Sequence, residues 1–174
     1  MFPLTGPFFM IVWFNGPSQK ELLFIARQPM EIGCNYITQV RRVDHVVCYD
    51  AEVINNIEIE QGIKYHTRSF WAQPPVWNEI KNDYGCGINS GLLAIILAKQ
   101  LTKDNIYVIG CDWGLEKSSV FKYAHKTNGR KYSNAMSDVL KELNKTNQIK
   151  IVNDRIPDVQ VPVISKFEFL QTIQ

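Results

Sequence analysis

The feature that most limits what this chain can become is a set of short, unbroken apolar runs. Phe8-Phe9-Met10-Ile11-Val12-Trp13-Phe14 and Ile106-Tyr107-Val108-Ile109-Gly110-Cys111 contain no charged residue and do not alternate polar with apolar. A strand with one wet face alternates, whereas one covered on both faces reads as a continuous apolar run, the pattern of parallel sheets. The expected strands are Phe8–Phe14, Glu31–Asn35, His45–Asp50 and Ile106–Cys111. Ile149–Val152 comes next, as a fifth strand or, if Ile63–Thr67 also pairs, a sixth.

Two helical stretches of different character lie between them. Leu92-Leu93-Ala94-Ile95-Ile96-Leu97-Ala98, continued by Leu101, is apolar all round and belongs inside the protein, with Asn89 or Ser90 available to cap it. Met136, Val139, Leu140 and Leu143 form one stripe opposite Asp138, Lys141, Glu142 and Lys145, a surface helix lying on a sheet. Strands alternating with helices predict an open, doubly wound α/β sheet. A length of 174 residues fits one domain, and no repeat or linker divides it.

Four cysteines, Cys34, Cys48, Cys86 and Cys111, form no C-x-x-C pair, which points to free thiols in a reducing compartment. The opening apolar run is too short to span a membrane and has no charged leader, so the expectation is a soluble cytoplasmic protein. Nineteen basic against 17 acidic residues leave +2, too balanced for a general binder of nucleic-acid polymers.

Doubly wound sheets bind ligands at the carboxyl ends of their strands. The first expected strand is followed by Asn15-Gly16-Pro17-Ser18, where Gly16 permits a tight turn and Pro17 suits the first helical position. The N–H groups of Ser18 and Gln19 would then be free for a phosphate or carboxylate, although a plain capped turn fits the same four residues. Asn35 and Asp50 close the second and third strands, where they can bond a ribose or base edge or simply make turns. Asn89-Ser90-Gly91 opens the buried helix, and Gly110-Cys111-Asp112-Trp113-Gly114 follows the fourth strand.

A basic loop, residues 114–132, carries Lys117, Lys122, Lys126, Arg130 and Lys131 against the single acid Glu116. Such a loop can order over an anionic ligand or merely be solvated. It also holds His125, the best placed of three histidines for acid–base work; His45 and His66 fall in strands and read as structural. Trp71, Pro74, Pro75 and Trp77 read as a rigid connection covering one end of the core. There is no G-x-x-x-x-G-K-[ST], G-x-G-x-x-G or G-x-S-x-G motif, which lowers the P-loop, dinucleotide and serine-hydrolase readings.

These strand-end motifs resemble those of the bacterial sialyltransferases of glycosyltransferase family 42. The matching blocks are Phe14-Asn15-Gly16-Pro17-Ser18 with Lys20-Glu21, Cys34-Asn35, Ile88-Asn89-Ser90-Gly91, and Ile106 through Asp112. A looser match runs from Ser133 to Ile151. The resemblance implies a Rossmann-like domain that takes CMP-sialic acid as donor and a glycan as acceptor, with no metal ion. It places Asn15 and Ser18 at the phosphate and ribose, Asn35 facing the cytidine–sugar region, Ser90 and Gly91 at the nucleotide, and Asp112 at the edge of the same pocket. Asn89 stands where that family has threonine. The family's two phosphate-holding tyrosines fall at Gly114 and Val120 and its histidine near Lys131, leaving Tyr123, His125, Lys131 and Tyr132 as catalytic candidates. The chain is also shorter than that family's catalytic domain.

A second resemblance, to archaeal hydroxymethylpterin diphosphokinase-like proteins, rests on the Gly-Pro-Ser turn and the Gly-x-Asp strand. It implies ATP and magnesium, with Asp50, Glu52 and Asp112 as the available hard ligands. A non-catalytic nucleotide-binding module is the third alternative, and a homo-oligomer is compatible with all three.

Overall fold

A computed structural model describes residues 9–69, 72–73, 75–84, 88–113, 115 and 134–174. Among the described residues eight strands form one sheet: β1 (Phe9–Trp13), β2 (Glu31–Cys34), β3 (His45–Val47), β4 (Lys64–Arg68), β5 (Trp77–Ile80), β6 (Asn105–Ile109), β7 (Ile149–Val152) and β8 (Val163–Ile164). Their order is β5-β4-β3-β2-β1-β6-β7-β8, and every neighbouring pair is parallel. The chain moves outward from β1 to β5, then crosses back to β6 and runs outward the other way. The doubly wound α/β expectation therefore holds, with the reversal between β1 and β6.

Helices cover both faces. On one lie α2 (Ser90–Leu101) and α3 (Asn134–Leu143), packed over Met10, Val12, Ile106, Val108, Ile149 and Ile151. On the other, α1 (Ala51–Asn56), α4 (Lys166–Thr172) and a 3-10 turn at Pro17–Leu22 pack over Ile11, Trp13, Val46, Tyr107 and Ile109. Successive residues of β1 thus feed opposite cores, which is why that strand is apolar throughout. α2 is buried from Ser90 to Ala98, whereas α3 buries Val139, Leu140 and Leu143 and exposes Asp138, Lys141 and Glu142.

Several boundaries differ from those expected. β2 stops at Cys34 because Asn35 turns to a left-handed φ of 52°, and β6 stops at Ile109 because Gly110 turns to +81°. β3 is only three residues long, so Cys48, Tyr49 and Asp50 already belong to its exit loop. The segment at Ile63–Thr67 does pair, as β4. Trp77 is not part of a connection: it opens the edge strand β5 and packs edge-on against Tyr65 with ring centroids 5.4 Å apart. Trp71 and Pro74 lie outside the described residues. Cys34, Cys48 and Cys111 are free and buried, and burial pushes all three thiols above their usual range. No helix among the described residues is long and apolar enough to cross a membrane.

Candidate functional site

At the reversal, the ladder between β1 and β6 continues past the strands. The Phe14 N–H donates to Ile109 O at 2.7 Å and the Gly16 N–H to Gly110 O at 2.9 Å. A methyl group on Gly16 would overlap both Gly110 O and the Asp112 carboxylate, so close approach requires glycine there. The Asp112 carboxylate accepts the Ser18 N–H on Oδ2 at 2.8 Å and the Asn153 side-chain amide on Oδ1 at 2.8 Å. It is buried, and each of its oxygens has a donor.

This corrects the expected free amides. The Ser18 N–H is satisfied by the chain's own carboxylate, the Gln19 N–H donates to Gly16 O at 3.2 Å, and the turn is a short 3-10 segment. Four side-chain atoms of the same turn are buried with no partner: Asn15 Oδ1, Ser18 Oγ, and both Oε1 and Nε2 of Gln19.

A second polar corner forms where β2 and β3 end against the start of α2. Ser90 Oγ donates to Asn35 Oδ1 at 3.0 Å and accepts the Tyr49 N–H at 3.0 Å, tying three elements through one hydroxyl. Asn89 caps α2 by accepting the Leu92 N–H at 2.9 Å. A methyl group on Gly91 would come within 2.5 Å of the Phe14 ring, so the helix start is pressed directly on the end of β1. Phe14 also meets Trp113, ring centroids 5.9 Å apart, and so joins the two corners.

Arg68, the last residue of β4, enters this corner. Its guanidinium lies 4.2 Å above the Tyr49 ring centroid, and Nη1 donates to the Tyr49 hydroxyl at 3.0 Å. It brings a held positive charge to the carboxyl edge. Asp50 is exposed at the start of α1, without a side-chain cap bond. Among the described residues no three His, Cys, Asp or Glu side chains gather as a metal-holding group.

Of the sequence candidates, Asn15, Gly16, Ser18 and Asp112 share the first corner, and Asn35, Asn89, Ser90 and Gly91 share the second. The loop 114–132, with Tyr123, His125, Lys131 and Tyr132, lies outside the described residues apart from Leu115. Arg68 and Asn153 were not singled out by sequence, and Gln19 entered there only through its backbone N–H. Arg68 and Asn153 stand at the ends of β4 and β7, so reading those two strand ends as the others were read would have found them. Comparison with known proteins yields no match, whether to family models, to curated proteins or to solved structures. The functional reading rests on the residues themselves.

Proposed function

We propose that this protein binds a CMP-sugar across the carboxyl edge of its sheet and transfers the sugar to a glycan hydroxyl, as a sialyltransferase-like enzyme. The observation that carries the reading is the second corner, where Asn35, Tyr49 and Ser90 converge on one hydroxyl with Arg68 stacked beside them. Hydrogen-bonding groups that suit a nucleoside there adjoin a cation that suits its phosphate. Asn15 and Asn89, both half-buried, extend this surface toward β1. In the transfer itself, the acceptor oxygen attacks the anomeric carbon, the bond to the CMP phosphate breaks, and the acceptor proton passes to a base. His125 is proposed for that proton, and Lys131, Tyr123 and Tyr132 for the departing phosphate.

The test is a thermal-shift series with CMP, CDP, UDP, GDP and ATP, each with and without magnesium. A ligand that binds only the folded state raises the melting temperature by mass action. The expected result is stabilisation by the cytidine nucleotides without magnesium. If no nucleotide shifts the protein, the reading is discarded. A shift that requires magnesium and ATP instead favours the pterin diphosphokinase-like alternative. CMP binding without release of a donor sugar leaves a binding module.

A further inference from the structure

We propose that Gln19 reads an uncharged, hydrogen-bond-donating part of the ligand, a hydroxyl or an aromatic amine, at the β1–β6 reversal. This rests on the nucleotide-sugar reading and adds which part of the ligand meets the turn. Gln19 is completely buried, yet neither atom of its amide has a partner. Ser18 Oγ and Asn15 Oδ1, on the same turn, are likewise unpartnered. A buried amide without partners destabilises a fold, and leucine at the same place would avoid that loss. An unpaired cluster of this kind needs an explanation, and a group that completes it on binding supplies one.

The chemistry of the four atoms restricts that group. Two are amide oxygens, one is a hydroxyl and one is an amide nitrogen, so acceptors predominate and the complement is a donor. An anion is disfavoured, because the Asp112 carboxylate already sits on the turn and holds its Ser18 N–H. Phosphate therefore belongs to the Arg68 corner and the neutral part of the ligand to the Gln19 turn. Asn15, Gly16 and Pro17 are half-buried while Ser18 and Gln19 are buried, so the turn meets solvent along Asn15–Pro17.

The experiment compares wild type with Gln19→Leu and Gln19→Met, measuring melting temperature without ligand and affinity for CMP, cytidine, uridine and inorganic phosphate. The expected result is a melting temperature higher by about 2–4 °C in the variants. Affinity for CMP and cytidine falls about tenfold, while that for phosphate is unchanged. A drop confined to cytidine identifies the base amine as the group read, and an equal drop for uridine identifies a hydroxyl. If both variants melt below wild type, the amide supports the fold and the proposal is overturned. Unchanged nucleoside affinity overturns it as well, and leaves the nucleotide reading standing because wild type still binds CMP. A wild type that binds no nucleotide overturns both.

Discussion

Asp112 shows how one side chain can look like a ligand residue and act as a brace. Its spacing after an apolar strand marks it as a strand-end carboxylate, and it does sit at the carboxyl edge. Both of its oxygens, however, face inward, to Ser18 and Asn153. Asp112→Ala would leave a buried backbone N–H and a buried side-chain amide unpaired, each costing roughly 1–3 kcal/mol. We expect urea denaturation to show a loss of about 2–6 kcal/mol. A variant as stable as wild type would mean that the turn does not depend on this carboxylate. Arg68 is the converse case. It ends a strand whose sequence, Lys64-Tyr65-His66-Thr67-Arg68, mixes polar and apolar residues, so only its position at a strand end, and no apolar run, points to the site.

At the scale of elements, legibility follows burial. β1, the buried run of β6 and Leu92–Ala98 of α2 are apolar because the fold covers them on both faces, and β7 breaks that pattern only at Lys150, so their positions are plain in the sequence. β5 and β8 are edge strands, one with exposed Asn78 and Glu79 and the other two residues long, so neither leaves a continuous apolar run. β3 and β4 owe part of their pairing to a feature that pattern alone does not reveal. His45 Nδ1 and His66 Nε2 lie 2.8 Å apart on the α2 face of these strands, and both side chains are buried. One imidazole must donate and the other accept, which two neutral rings of complementary tautomer satisfy. Burial, then Lys64, holds His45 below its ordinary value, with Asp44 opposing; burial, then His45 and Lys64, brings His66 down to about 4.

The unfolded chain, with His66 near 6.5, therefore binds more protons than the folded chain between that pH and about 4. The stability is present above the unfolded value and is lost as pH falls through this window. We expect wild type to lose roughly 1–2 kcal/mol between pH 7 and pH 5, and His66→Gln to show a flatter profile. Equal slopes for the two proteins in denaturant melts at each pH would reject the assignment.

Across the whole molecule, the two ends of the sheet differ in how fully their buried polar groups are hydrogen-bonded. At the amino edge, Glu31 is fully buried and every approach to it is filled. Its carboxylate accepts Arg41 Nη2 at 2.6 Å, Arg41 Nε at 2.5 Å, Trp13 Nε1 at 2.9 Å and the Gln28 N–H at 2.7 Å. Arg41 also lies 4.6 Å above the Trp13 ring and donates to Leu23 O and Ile25 O. At the carboxyl edge, by contrast, Asn15, Ser18 and Gln19 retain unmet hydrogen-bonding capacity. A saturated end serves the fold, and an unsaturated end has capacity left for a ligand.

That division makes a paired prediction. Arg41→Ala strands a buried carboxylate, which costs about 3–5 kcal/mol, while the strands between keep the carboxyl edge roughly 13 Å away at 3.3 Å per residue. At a temperature where this variant is still folded, its affinity for CMP should equal that of wild type. Arg68→Ala should do the opposite. It removes the bond to the Tyr49 hydroxyl and the guanidinium stacked on that ring from a half-buried position, and leaves no buried carboxylate stranded, so stability should fall by less than in Arg41→Ala. Loss of a charge-assisted contact to the phosphate should weaken CMP about tenfold or more and leave cytidine nearly unaffected. Calorimetric titration of both variants with both ligands decides the matter. If Arg41→Ala weakens CMP as much as Arg68→Ala does, or Arg68→Ala weakens cytidine equally, the proposed separation of stability from binding along the strands is wrong.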